Sequence, residues 1–273
     1  MGEGANGDLG AVPIGTGTVL LGAERFSIGN ISATYRGSIQ MADVTVVAVI
    51  KDIPAKELAN ELLAASIAIA VGLPIPTPVL AFASKDTGIG SACPLSDGSG
   101  GLVFGSVDVG GTSVRQIYMA SPQESTATLI AERLAAWDDA GRLYGFDSWI
   151  ANIDRNAGNL QFGGAGGIWL IDHARGFTGS EWVSTGLDPS HEYANQLAKW
   201  LTPSLTPDQR GEMAKSVGDA SDRLDPATLD SLAVGAHLAV LLTAGDRDAV
   251  VNFLADRMAH VPRLASRALG FLA

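Results

Sequence analysis

The apolar positions of this chain fall first into short strand-like runs and later recur at helical spacing. Thr18–Leu21, Ile31–Tyr35 and Thr45–Ile50 read as strands separated by Gly-, Asn- and Asp-containing turns. After Pro54 the period changes. Leu58, Leu62, Ala65 and Ile69 predict a helix from Ala55 to Val71 with that stripe on the sheet, stopped by Gly72 and Pro74. A mobile surface loop is expected over 84–101, then a strand through Gly101–Ser106. Two helices follow between Ser121 and Ile153, and Leu143, Phe146, Trp149 and Ile150 mark the apolar side of the second. Gln161-Phe162 and Ile168–Ile171 flank the turn Gly163–Gly167 as a hairpin. Residues 174–192 are too polar and glycine-rich for regular structure. An all-helical tail runs through Tyr193, Leu197 and Trp200, then Leu229–Leu242, then Val250–Met258.

Composition narrows the class. At 273 residues, 47% hydrophobic and 17% charged, the chain can bury a substantial core. A net charge of -11 argues against a nucleic-acid surface. The single cysteine, Cys93, rules out an internal disulfide framework and fits a reducing compartment. The first residues, MGEGANGDLGAV, lack the basic start and apolar core of a signal peptide, and no apolar run reaches the ~18 residues of a bilayer span. The expectation is a soluble, cytoplasmic protein. Arg247, Arg257, Arg263 and Arg267 make the tail the most basic region, and a solvated face is the default for them.

The candidate chemistry lies in residues 147–177. Asp154, Asn159 and Asp172 converge if the hairpin forms, since it returns Asp172 to the neighbourhood of Asn159. Two carboxylates and an amide at a loop mouth suit a hard cation, above all magnesium carrying a nucleotide phosphate. Taken alone, Asp-x-x-x-x-Asn is a weak signal, because such residues often close turns. Lys51 ends a β-branched strand and can set an ammonium over a cleft as a point charge for phosphate, although a solvated lysine is commoner there. Glu61, deeper along the helix than Glu57, is the partner expected for it. Gly29-Asn30-Ile31-Ser32 is a weak candidate for a turn over a nucleotide.

Lys51, the helix pair Asn60-Glu61, Gly72-Leu73-Pro74-Ile75-Pro76, Asp154-Arg155-Asn156-Ala157-Gly158-Asn159 and Ile171-Asp172-His173 occur in an order that resembles the HipA-like kinases, a bacterial branch of the group that includes the phosphatidylinositol 3- and 4-kinases. The resemblance covers roughly residues 40–180. It departs from the family where Asn156 replaces a histidine and where no extended glycine loop is recognisable. It implies an α+β, two-lobed protein-kinase-like fold: a small β-rich lobe with one helix over 1–108, and a larger, mostly helical lobe over 109–273.

The resemblance further implies an ATP- and Mg2+-dependent phosphotransferase acting on a serine or threonine of a protein. On that reading Lys51 contacts the phosphates, oriented by Glu61, and backbone groups near Ser106 and Val107 meet the adenine edge. Asn159 and Asp172 hold magnesium, Asp154 receives the acceptor proton, and Arg155 steadies the developing phosphate charge. Thr178, Ser180, Ser184 and Thr185 are candidates for self-phosphorylation. His173 and Trp149 are expected to be packed rather than reactive. The alternatives are a pseudokinase acting as a binding or regulatory module, a lipid or small-molecule kinase, and a nucleotidyl transferase.

Overall fold

The strand-forming runs of the first half assemble into a sheet that closes on itself. The structure, a computed structural model, describes residues 13–26, 33–163 and 167–271. Strands β1 (Gly15–Val19), β2 (Glu24–Arg25), β3 (Ala33–Gln40), β4 (Thr45–Asp52), β5 (Pro78–Ser84) and β6 (Gly100–Val107) lie in the order β1-β5-β6-β4-β3-β2. β1 runs parallel to β5 and also pairs antiparallel with β3, so β1, β5, β6, β4 and β3 form a ring.

A ring of so few strands has a narrow interior, filled by Val19, Ile39, Ile50, Val79 and Val103 together with alanines. Glycines make room for Ile39: a Cβ on Gly105 would lie 2.4 Å from its Cδ1, and one on Gly17 2.5 Å from its Cγ2. Successive side chains alternate across a strand. Ala48 and Ile50 fill the ring, which turns Val49 and Lys51 outward to the opposite face of β4.

The expected strand ends shift for reasons of backbone pairing. β1 stops at Val19, leaving Leu21 73% exposed in a turn, and begins in the sequence Gly-Thr-Gly-Thr, which pairs through its backbone without an apolar pattern. β3 runs past Tyr35 through Arg36, Gly37 and Ser38, because β4 pairs with it along its full length. The expected Gly29–Ser32 turn and the middle of the 163–167 turn lie outside the described residues.

The helices are α1 (Ala55–Ala70), α2 (Val114–Ala120), α3 (Glu124–Ala135), α4 (Ala140–Trp149), α5 (Leu197–Trp200), α6 (Pro207–Ala214), α7 (Asp219–Asp222), α8 (Thr228–Gly235), α9 (Leu238–Leu241), α10 (Ala244–Arg257) and α11 (Val261–Ala268). α1 is buried continuously from Leu58 to Ala68 rather than along one stripe. It packs on β5 and β6 and also against α8 and α9, so both sides are covered. Ile69, expected on the sheet, is 38% exposed at the end of the helix. The tail stretch 229–242 breaks at His237, whose φ of 57° separates α8 from α9.

Two further features position the site. A small second sheet joins β7 (Thr112–Ser113), β8 (Leu160–Phe162) and β9 (Ile168–Leu170); β8 and β9 are the expected hairpin, and β7 is an addition. The 84–101 loop is tethered, since the Asp52 carboxylate accepts the N–H groups of Gly90, Ser91 and Ala92. Trp149 is fully buried and donates its indole N–H to Leu254 O at 2.9 Å. Among the described residues, no helix is long and apolar enough to cross a membrane.

Candidate active site

Lys51, on the outer face of β4, points into a cleft between the closed sheet and the β8–β9 hairpin. Its Nζ lies 2.6 Å from Glu61 Oε1 on α1 and 3.0 Å from Asp172 Oδ1 just after β9. The second oxygen of Glu61 accepts the backbone N–H of His173 at 2.8 Å. One buried carboxylate thus fixes both the lysine and the backbone beside Asp172. Asp172 itself has a φ of 60°, a left-handed conformation uncommon outside glycine, and its carboxylate stays 43% exposed to the cleft.

The electrostatics of the Lys51–Glu61 pair favour the charged forms. Burial by itself would lower the pKa of Lys51, but the negative charges of Asp172 and Glu61 outweigh it and hold the ammonium above its ordinary value. Burial would likewise raise Glu61, and Lys51 brings it down to about 2. His173 is driven below its ordinary value by burial and then by the Arg155 charge, so its imidazole is neutral at neutral pH. It packs edge-on against Phe146. This is the packed histidine that the sequence predicts.

The loop from Asp154 to Asn159 is held from beneath. Arg155 has no exposed surface; its Nε and Nη2 donate to Asp147, which is also fully buried, and its Nη1 donates to Asn159 O and Ile171 O. Arg155, expected to meet a phosphate, here has its guanidinium engaged in joining α4, the loop and β9, and it does not line the cleft. Asn152 Nδ2 also donates to Asp147, and Trp200 donates to Arg155 O. Asn156, at the position where the family has histidine, donates to Asp154 Oδ1 at 3.2 Å. That contact leaves Oδ2 open, with Arg175 Nε 4.0 Å away.

Asn159 is oriented the same way. Its Nδ2 donates to Asp154 O at 2.6 Å, and its Oδ1 has no protein partner among the described residues. The N–H of Ile171 donates to Asn159 O, so Asp172 follows directly from the residue paired with Asn159. Among the described residues no cluster of three His, Cys, Asp or Glu side chains forms a metal cage. The donor set of Asn159 Oδ1 and Asp172 suits magnesium that arrives on phosphate oxygens and keeps waters, which needs only one or two protein carboxylates.

The rest of the cleft is apolar, lined by Val49, Ala65, Ile75, Phe104 and Leu170, with Ser106, Val107 and Val109 at its edge. The N–H of Val107 donates to Thr77 O and that of Asp108 to Val47 O. Neither is free for a ligand. Val109 N–H, the first beyond the sheet, has no protein partner among the described residues, and sequence pattern alone gave no reason to single it out.

Asn60 was legible only as a member of the helix pair, and its role emerges here. Its Nδ2 donates to the carbonyls of Ala174, Gly176 and Gly179, and its Oδ1 accepts from Trp182 Nε1. Lys56 adds a bond to Trp182 O and lies 4.5 Å over the same ring. The irregular 174–182 segment is thus fastened to α1. Asp147 carried a signal that could have found it: a carboxylate among the apolar positions of α4 must have a buried partner.

Comparison with known proteins gives a family and a fold. The sequence profile of the HipA-like kinases matches residues 45–229. The crystal structure of a Helicobacter pylori proinflammatory kinase, CtkA, is similar with a TM-score of 0.59 over 94% of this chain and 99% of that one, at 12% identity, a likeness of fold. No curated protein matches the chain.

Proposed function

The chain belongs to the HipA-like kinases, and from that premise we propose that it transfers a phosphoryl group from ATP, with magnesium, to a serine or threonine hydroxyl of a protein. The observation that carries the reading is the position of Lys51 Nζ, 2.6 Å from Glu61 and 3.0 Å from Asp172, with an apolar cleft beside it. Phosphoryl transfer asks a protein chiefly to place groups and balance charge. Lys51 brings a fixed positive charge to the phosphates, and Glu61 orients it. Asn159 Oδ1 and the Asp172 carboxylate are the groups that hold magnesium, which neutralises charge on the phosphates when bound.

Asp154 takes the acceptor proton at Oδ2, the oxygen that Asn156 leaves free, while the acceptor oxygen bonds to phosphorus and the bond to the departing diphosphate breaks. A carboxylate serves this role because a loose transition state calls for little early proton removal. Arg155 positions the loop and does not touch phosphate. Val109 N–H is the donor offered to the adenine edge, with Ser106 and Val107 as wall. In this reading the chain divides into two lobes after Asp108, just past the end of β6, and works in the cytoplasm, which its lone cysteine suits.

Mass spectrometry after incubation with ATP, magnesium and a cell lysate tests the proposal. It predicts phosphate on serine or threonine of this chain or of a lysate protein, lost in Asp172→Asn. A nucleotidyl adduct, or phosphate confined to lipid or small-molecule fractions, would overturn it.

A further inference from the structure

A second cavity with charged walls shares no lining residue with the cleft. Arg155 and Arg257 are the fully buried arginines among the described residues. Arg155 faces Asp147, whereas Arg257, on α10, has no carboxylate within ion-pair reach among the described residues. Its Nε donates to Ser148 O, and its Nη1 to Pro189 O and His191 O. Nη2 has no protein partner among the described residues. The guanidinium also sits 5.1 Å from the Tyr193 ring centre and 5.4 Å from that of Phe253. Burial lowers its pKa to about 10, against the opposing pull of Tyr193 and Asp188, so it is charged at neutral pH. A buried charge without a counter-ion is costly.

Arg257 lines a cavity of about 240 Å³ that Lys199 and Arg267 also line. A single water takes ~10–15 Å³ by a comparable measure, so the space admits an oxyanion with its waters. The Lys199 ammonium has no protein partner among the described residues, and Arg267 donates to Glu192 on the same wall. The other lining carboxylate, Asp147, is already neutralised by Arg155. Three cations gathered at one cavity stand out in a chain of net charge -11.

We propose that this cavity binds a phosphate-class oxyanion, free or carried as a phosphomonoester, on Arg257 Nη2 with Lys199 and Arg267 at the rim. Arginine is suited to the role because its planar fork matches phosphate oxygens. The occupant would tie α5, α10 and α11 to the 188–193 stretch, whose carbonyls Arg257 already holds. The site makes no use of the nucleotide cleft, so it stands or falls independently of the proposed activity.

Calorimetry at fixed ionic strength, titrating the full chain with inorganic phosphate and separately with phosphoserine, tests it. The expected result is saturable binding of at least one probe, weakened about tenfold or more by Lys199→Glu and unchanged by Lys51→Ala. Equal binding of both probes assigns the free ion, and binding of phosphoserine alone assigns a phosphomonoester. Arg257→Gln should abolish binding where it folds; where it does not, the exposed Lys199 decides. Absence of saturation with both probes would overturn the proposal. So would binding that Lys51→Ala removes and Lys199→Glu leaves intact.

Discussion

Glu61 holds Lys51 with one carboxylate oxygen, 2.6 Å from Nζ, and with the other holds the N–H that follows Asp172. Strand β4, helix α1 and the end of β9 therefore meet on a single side chain with no exposed surface. Any displacement of α1 must move the lysine and the Asp172 backbone together.

A double-mutant cycle reads that coupling. Lys51→Ala and Glu61→Ala should each cut phosphoryl transfer, and the double variant should lose less than the sum of the two, by ~1–3 kcal/mol of interaction energy. Glu61→Ala should destabilise the fold more than Lys51→Ala, since it also strips the acceptor from His173 N–H. Fully additive losses in transfer would mean that the two residues act separately.

The same pair sets an acid limit. Glu61 titrates at about 2 in the folded chain, depressed from an ordinary 4.5 because the Lys51 charge outweighs burial. A carboxylate whose folded pKa is depressed contributes stability that is present above its unfolded value and is lost as pH falls toward the folded one. His173, a base lowered by burial, adds a loss that begins nearer its ordinary 6.5. The midpoint of thermal unfolding should thus decline below pH 6.5 and more steeply between 4.5 and about 2. Glu61→Gln, at lower overall stability, should flatten the steeper part. An unchanged slope in Glu61→Gln would remove the pair from the explanation.

Arg155 separates a structural from a catalytic role. Arg155→Ala would leave Asp147 charged and buried without its partner, so it should lower stability by about 3–5 kcal/mol in chemical denaturation. Arg155→Lys should recover little, because one ammonium cannot reproduce the fork that joins Asp147, Asn159 O and Ile171 O. If Arg155→Ala keeps full stability and loses only transfer, the residue does face phosphate after all.

The residues that were legible in sequence are those whose local pattern and role coincide. A β-branched run ending on Lys51, a glycine turn between Gln161-Phe162 and the apolar run Ile168–Ile171, and helical spacing over 55–71 each stated both an element and the side chain it delivers. The buried partner of Arg155 was not legible, because its position in the motif suits phosphate equally well and only the structure brings Asp147 against it. The N–H of Val107, beside the backbone groups expected at the adenine edge, is bonded to Thr77 O, a pairing next to the β5–β6 ladder that no local pattern encodes. The closed ring of strands was hidden for the same reason: β1 and β3 are joined by topology, and Gly17 and Gly105 reveal themselves as packing residues only once Ile39 lies against them.

The most direct measurement is paired calorimetry and phosphate-transfer assay on wild type, Asp154→Ala and Asp172→Asn from matched preparations. The account predicts that Asp154→Ala binds ATP–magnesium like wild type while transfer falls by at least ~10²-fold, the loss typical of a positioned acid–base group. It predicts that Asp172→Asn loses magnesium-dependent binding with the apo fold intact. Wild type that binds nucleotide yet transfers nothing to itself, to lysate proteins or to water, with Asp154→Ala indistinguishable from it, would contradict the account.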